Sequence, residues 1–368
     1  MAKKKHISIL IRILLWITVA ITAIYLVSAF IGYADPRKCG FLSIAGLAYP
    51  ITLLITLALT VALLIIHKKY ALIPAAALII TIPQILAFSP IHYNRFWSDR
   101  QEGDFTIMTY NSFGLPGADN KANRTITEIL KYDADFVCMQ EAPKIDQFKH
   151  RIGEEQLNLL EKRYPYMGDS NAAMCFLSKH PVNTIRTHKD KKYFAFCVYE
   201  TQVFGQQAYI FNIHLESIGL TASDKELYMD LTSVNKEKTL RGVRSRLMTK
   251  LSNAFKNRAG QAEMIRGIID SLQTVNKEAR IFVCGDFNDT PYSYSYLTIK
   301  KGFNDAYADA GIGPTFTYNA NRLYFHIDHI LYEDDDIEAV STRRGNSRSS
   351  DHYPLVSTFR KKENLSNN

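Results

Sequence analysis

Apolar residues are bunched at the start of the chain and interleaved with polar ones after it. Ile7–Ile31 is almost continuously apolar, broken by Arg12 and a few hydroxyl residues. Phe41–Ile66 is a second such run, and Ala71–Ser89 a third that contains Pro74, Pro83 and Gln84. About 20 apolar residues suffice for a helix to cross the hydrocarbon core of a bilayer. Proline is tolerated there because neighbouring helices can satisfy the freed backbone groups. A cleaved signal peptide would account for Lys3, Lys4 and Lys5, but its apolar stretch is shorter and two further runs would not follow. Residues 1–95 are therefore expected to be a membrane segment of three transmembrane helices, at about 7–31, 41–66 and 71–89.

From Asp104 the pattern changes to short runs rich in β-branched and aromatic residues. Phe105–Tyr110, Phe136–Met139, Ala208–Ile213, Ile281–Cys284 and Ile327–Tyr332 each read as strands. Between them Ile126, Ile129 and Leu130, and later Ala262, Ile265, Ile268, Ile269 and Leu272, recur at helical spacing. The alternation predicts one large domain of α/β or α+β class over residues 96–368. Cys138 and Cys284 lie inside apolar strands and read as small buried hydrophobes.

Charge changes this picture once it is divided along the chain. The 368 residues carry 44 Lys and Arg against 36 Asp and Glu, a formal +8 that taken whole invites a nucleic-acid partner. Residues 1–95 account for all of the surplus: Lys3, Lys4, Lys5, Arg12, Arg37, Lys38, Lys68, Lys69 and Arg95 stand against the lone Asp35. The rest of the chain is formally neutral. With the N-terminus in the cytoplasm, Lys3–Lys5, Lys68 and Lys69 fall inside, and Arg37, Lys38, Arg95 and Arg100 outside. That modest bias predicts a cytoplasmic N-terminus and, after three spans, an extracytoplasmic large domain. A content of 47% hydrophobic and 12% aromatic residues excludes a disordered chain, and five Cys do not make a disulfide scaffold.

The candidate chemistry sits where the strands stop. The first ends at Asn111, the second at Gln140-Glu141 and the third at His214. The fourth runs into Gly285-Asp286-Phe287-Asn288, the fifth carries Asp328, and Ser350-Asp351-His352 follows near the C-terminus. Apolar strands that repeatedly end in carboxylates, carboxamides and imidazoles form a costly cluster unless a cation or hydrogen bonds compensate it. Oxygen donors from Glu141, Asp286, Asp351, Asn111 and Asn288 suit a hard ion such as Mg²⁺ or Mn²⁺. Zinc is disfavoured, because no Cys/His ligand spacing accompanies them.

At these residues the sequence resembles the endonuclease/exonuclease/phosphatase superfamily, the deoxyribonuclease-I-like proteins. The resemblance runs from about Asp104 to Arg360 and rests on Thr109-Tyr110-Asn111, Asp135–Glu141, Asn212–Leu215, Gly285–Asn288, Ile327–Ile330 and Ser350–His352, in the family's order. Phe176–Val182 looks like the family's strand and turn before the His motif. The resemblance implies a four-layer sandwich of two packed β-sheets with helices outside. It also implies Glu141 as principal metal ligand, with Asn111 and Asp351 adjacent to metal or phosphate. Asp286 would orient or deprotonate the attacking water and Asn288 would steady it. His352, paired with Asp328, and His214 from the other side would contact phosphate oxygens, and the histidine could be the formal base instead of Asp286. The implied protein is a membrane-anchored, Mg²⁺- or Mn²⁺-dependent hydrolase of phosphoesters, with a phosphodiester as the leading substrate. Nucleic acid and a lipid or small-molecule phosphoester (sphingomyelinase- or phosphoinositide-phosphatase-like) all remain open, because the family uses one set of residues on them. A catalytically idle binding domain would be favoured by loss of a site acid, and the set is intact. A transporter or receptor built from the three spans is disfavoured, since they hold little charge beyond Arg12.

Four features have plainer readings. His326 and His329 flank Asp328, but alternation sets them on faces different from it or from each other, so packing is expected of both. His326 also stands where the family often has an arginine or other polar substrate contact. Asp334-Asp335-Asp336 reads as a solvated loop. Ser217–Arg258 is basic, with Leu240, Val243, Leu247, Leu251 and Phe255 at helical spacing; it is expected to cover the sheet, with a membrane- or nucleic-acid-facing helix as the alternative. Tyr292, Tyr294 and Tyr296 could stack on bases but are expected to pack at the start of a helix.

Overall fold

The computed structural model describes residues 9–96, 98–116, 123–148, 150–170, 173–190, 194–219, 237–320, 323–333, 335–346 and 349–362. The first apolar run forms the helix Ile9–Phe30, and the second forms Tyr49–Ile66, entered through tight helical turns at Pro36–Cys39 and Gly40–Ala48. Both are long and apolar enough to cross a membrane. The third run departs from expectation. It is broken into Lys68–Ile80 and Ile82–Phe88, bent by 63°, and makes a third span only if the bent pair counts as one. Pro83 stands in the first turn of the second piece. Lacking an N–H, it cannot continue the preceding ladder. Hydroxyls hold the helices together: Ser28 bonds Thr52 at 2.7 Å and Tyr25 bonds Thr81.

Fourteen strands follow among the described residues: β1 Phe105–Asn111, β2 Phe136–Gln140, β3 Tyr166–Ser170, β4 Met174–Ser178, β5 Asn183–Lys189, β6 Ala195–Val203, β7 Gln206–His214, β8 Arg280–Asp286, β9 Asn304–Asp305, β10 Tyr318–Ala320, β11 Leu323–Phe325, β12 Asp328–Tyr332, β13 Ile337–Arg344 and β14 Leu355–Lys361. They build two six-stranded sheets, β13-β14-β1-β2-β4-β3 and β5-β6-β7-β8-β12-β9, and the small hairpin β10-β11. Each sheet is mixed: β1 runs parallel to β2 and β7 parallel to β8, while the other named pairings are antiparallel.

Side-chain alternation explains the layering. One set of positions (Phe105, Ile107, Phe136, Cys138 and Phe176 from the first sheet; Cys197, Ile210, Phe282 and Cys284 from the second) meets in a shared core between the sheets. The intervening positions are apolar too, so both strand faces are covered. Met108, Val137 and Met139 pack under Ile126 and Ile129 of the Arg124–Tyr132 helix and Leu160 of Glu154–Arg163. Phe211, Ile213 and Val283 pack under Ala262, Ile265 and Ile269 of the long Glu237–Val275 helix. Cys138 and Cys284 are fully buried.

The apolar helices do not stand apart from the sandwich. Gly32 lies so close to Tyr292 that an added Cβ would come within 2.0 Å of its carbonyl oxygen. The Tyr49 and Tyr292 rings approach to 4.6 Å. Arg37 grips Glu263 through both terminal guanidinium nitrogens, Arg95 pairs with Glu338 at 2.8 Å, and Arg100 pairs with Asp135 at 2.8 Å. Three of the basic residues counted as outside loop charge are thus matched to acids of the domain.

Candidate active site

Strand register assembles the cluster. His214 is the partner of Asp286 across β7–β8, and Asp328 is the partner of Asp286 across β8–β12. The three side chains therefore stand in one row at the end of the second sheet. Asn111 pairs with Gln140 at the matching end of the first sheet, which brings Glu141 to its edge. Beneath the row Asn212 ties the sheets together: it accepts from Gln140 Nε2 at 2.7 Å and donates to the Met139 and Cys175 carbonyls. Asn212 lay inside a recognised motif, yet its role needs the facing first sheet to be seen.

The contacts are dense. Asn111 Nδ2 donates to Asp286 Oδ2 at 3.0 Å and Glu141 Oε1 at 3.2 Å. Asp286 Oδ1 accepts from the Asn288 N–H at 2.8 Å, and Asn288 Nδ2 donates to the Leu215 carbonyl. His352 Nδ1 sits 2.9 Å from Asp328 Oδ2, and its Nε2 lies 3.6 Å from Asp286 Oδ2. His214 Nε2 is 3.6 Å from both Glu141 and Asp286 and has no hydrogen-bond partner. Ser350 donates to the Asn111 carbonyl and accepts from the His352 N–H, seating the Asp351-His352 pair. Glu141 (φ 48°) and Asn288 (φ 50°) both adopt left-handed backbone. Such strain is costly for a non-glycine residue and collects at functional sites. Gly285 (φ 148°) packs where a Cβ would meet the Ile213 carbonyl oxygen at 2.0 Å, so the residue before Asp286 has to be glycine.

Electrostatics divides the cluster into unequal halves. Burial, with the nearby Asp328 charge adding to it, pushes the Asp286 carboxyl upward against the pull of His352 and His214. Burial also raises Asp351, with Glu141 contributing. Burial alone would lower His352, but Asp328 and Asp286 outweigh it and push its pKa up to about 10, so the ring is cationic at neutral pH. Four carboxylates thus share one fixed cation, and Asp328 Oδ1 is buried without a partner. That excess of hard oxygen donors fits a divalent cation. One ligand atom each from Asp286, Asp328 and His352 also lies within 4.8 Å of the others. The Asp328–His352 hydrogen bond already engages two of those three groups, whereas the Glu141 side chain is 40% exposed.

The site opens into a cavity of about 190 Å³ lined by Glu141, Asp286, Asn288, Asp351 and His352, together with Arg258 and several apolar side chains. Arg258 was grouped with the basic stretch in the sequence, but its guanidinium is 1% exposed and donates to Asp289 at 3.1 Å. The neighbouring readings resolve as follows. Tyr292 and Tyr296 are buried, and Tyr294 bonds Glu263, so the three tyrosines pack. His326 and His329 are buried as well, yet their rings meet at 4.6 Å; regular extension begins only at Asp328, so alternation does not separate them. His326 turns toward Tyr307, away from the cavity. Asp336 is an anchor for Arg280, and Asp334 lies outside the described residues. Of Ser217–Arg258, residues 220–236 lie outside them too, and residues 237–258 belong to the Glu237–Val275 helix over the second sheet.

Residues 108–352 match the Endonuclease/Exonuclease/phosphatase family. The chain belongs to this family. As a member it is a hydrolase of phosphoester bonds, and its two-sheet fold is the family's. Residues 11–88 match a domain of unknown function, DUF8431. No curated protein sequence matches the chain. Solved structures similar to this endonuclease/exonuclease/phosphatase chain include truncated TDP2 of Caenorhabditis elegans, 17% identical, covering 71% of this chain and 99% of that one at a TM-score of 0.47. The human Nocturnin catalytic domain with bound sulfate is 18% identical over 73% of this chain and 99% of its own, also at 0.47. The mannosyl-6-phosphatase Bt3783 of Bacteroides thetaiotaomicron is 15% identical over 69% and 99%, at 0.42.

Proposed function

We propose that the protein is a membrane-anchored phosphodiesterase that uses Mg²⁺ or Mn²⁺ to hydrolyse its substrate by in-line attack of water on phosphorus. The observation that carries this reading is the registered row His214, Asp286, Asp328 facing Glu141, with a cationic His352 and more carboxylates than cations. Glu141, with Asn111 and Asp351 beside it, would hold the ion. A cation bound there supplies Lewis-acid stabilisation of charge developing on the phosphoryl oxygens. Asp286, raised by burial, is suited to accept a proton from water and to orient it, with the Asn288 N–H fixing its other oxygen. His352 is held by Asp328 in the orientation and charge state that donate to a phosphate oxygen, and His214 Nε2, lacking a partner, is free to donate from the other side.

The two long apolar helices, with the bent pair as a third crossing, would anchor the chain with its N-terminus in the cytoplasm and the catalytic domain outside. The test uses the full chain in detergent with bis(4-nitrophenyl) phosphate. Activity is expected with Mg²⁺ or Mn²⁺, abolished by EDTA and restored by either ion. Activity indifferent to EDTA would sink the metal assignment. A reporter fused after residue 362 that is active only in the cytoplasm would overturn the orientation.

A further inference from the structure

The catalytic cavity is not walled by the sandwich alone. Leu47, two residues before the Tyr49–Ile66 helix, lines it alongside Phe113, Phe255, Phe325 and Ile327. The same space is faced by the strand-end carboxylates and His352, so it is lined by an apolar group and a phosphate-handling group together. The apolar group is continuous in sequence with a helix long and apolar enough to cross a bilayer. Its position is fixed by close packing. Gly32 sits on the Tyr292 carbonyl with no room for a methyl group, Gly46 is tight against Ile31, and Arg37 clamps Glu263 of the helix that also supplies Phe255. These contacts hold the turn bearing Leu47 over the site.

Charge separates two classes of phosphoester. A nucleic acid is held along its backbone by several Lys or Arg, each neutralising a phosphate. Among the described lining residues Arg258 is the sole Lys or Arg, and it is sunk against Asp289 and the Glu216 carbonyl. The cavity offers recognition for one phosphate at a boundary between polar and apolar surface. We infer that the substrate is a lipid phosphoester drawn from the bilayer that holds the chain's own helices, its apolar part lying along Leu47, Phe255 and Ile327. This rests on the phosphoester-hydrolase and membrane-anchor readings above. In the reaction the oxygen of water bonds to phosphorus and the P–O bond to one ester oxygen breaks. The proton released from water ends on that leaving oxygen, giving an alcohol and a phosphate with one ester fewer.

The experiment uses the full chain reconstituted with Mg²⁺ in phosphatidylcholine vesicles doped with phosphatidic acid, phosphatidylglycerol or phosphatidylinositol. Bis(4-nitrophenyl) phosphate and a single-stranded oligonucleotide serve as water-soluble probes. A doped lipid is expected to be hydrolysed at least about tenfold faster than the oligonucleotide, the scale on which pockets discriminate by apolar contact. Leu47→Asp is expected to lower the lipid rate at least about tenfold more than the bis(4-nitrophenyl) phosphate rate, with Leu47→Ile restoring it. That split between substrates separates a role in lipid recognition from simple misfolding. Turnover of a soluble probe with no vesicle lipid hydrolysed overturns the lipid assignment and leaves the hydrolase reading standing. Equal losses of Leu47→Asp on both substrates overturn it as well. No turnover of any probe brings down the hydrolase reading itself.

Discussion

Two buried clusters of histidine and aspartate share β12, and in each a histidine is shifted in the opposite direction. On one face Asp328 meets His352 and Asp286; on the other His329 meets His326 and Asp305. Burial is nearly complete in both, so burial does not decide the outcome. His352 is lifted to about 10 because two carboxylates face it, against the effect of burial. His326 is pushed down to about 3 by burial, with His329 adding to it and Asp305 too weak to reverse it. The carboxylates differ in the same way. Asp305 accepts from Tyr296 Oη at 2.8 Å and the Tyr307 and Ala308 N–H groups, and despite burial its carboxyl is held below the usual range, with His329 the strongest pull. Asp328 Oδ1 has no partner, and Asp286 is raised. A cluster whose acids are satisfied by its own neighbours is core. The other keeps one buried carboxylate oxygen, Asp328 Oδ1, without a partner and stands beside an open cavity.

This contrast yields tests of opposite sign. The largest effect is expected in the open cluster: Glu141→Gln and Asp286→Asn should each cost roughly 10³-fold in kcat on bis(4-nitrophenyl) phosphate. Asp286→Asn should at the same time leave the melting temperature of the metal-free protein unchanged or higher, because the carboxylate it removes is disfavoured where it stands. A clear drop in melting temperature would erase the distinction between the clusters. In the closed cluster the sign reverses. Asp305→Asn removes a favoured charge and should destabilise the fold by about 1–3 kcal/mol in urea titrations while leaving the activity of the folded fraction intact. Loss of activity without loss of stability would move that cluster into the catalytic machinery.

A further effect concerns pH. His326 has a folded pKa near 3 against about 6.5 unfolded, so the unfolded chain takes up the proton first. Its contribution is complete above about pH 6.5 and is lost as pH falls toward 3. Asp305, also lowered, adds its own loss only below about pH 4. Urea midpoints of wild type and His326→Leu between pH 7 and 4.5 check this: the variant should have the flatter acid limb, and parallel limbs would refute the assignment.

The strand-end residues were legible in the sequence because each lies directly after an apolar run, a pattern that survives in one dimension. The five strands read from β-branched runs are all present, and Asn111, Glu141, His214, Asp286, Asn288, Asp328, Asp351 and His352 gather at one end of the sandwich. Elements whose signal lies in a partner were hidden. β5 is exposed along almost its whole length, and β9 to β11 are only two or three residues each, so neither offers a hydrophobic period. Arg258 reads as one charge in a basic stretch, and only the distant Asp289 makes it a buried ion pair. The same holds for Arg37, Arg95 and Arg100, where a count of loop charges cannot see the acids opposite. The break at Thr81–Pro83 was missed because proline alone does not say whether a helix continues, curves or breaks.

The pairing of β1 with β14 sets the order in which the protein can be made. β1 lies at the centre of the first sheet, with Phe105 opposite Phe359 and Thr109 opposite Leu355. A ribosome delivers the apolar helices first and β1 soon after, but the neighbour that completes the sheet emerges only once nearly everything between has been synthesised. Asp351 and His352 arrive just ahead of that strand. The nascent chain therefore carries an incomplete first sheet until almost all of it has been synthesised. A chain that ends before Leu355 leaves β1 without its β14 neighbour and the first sheet open on that side.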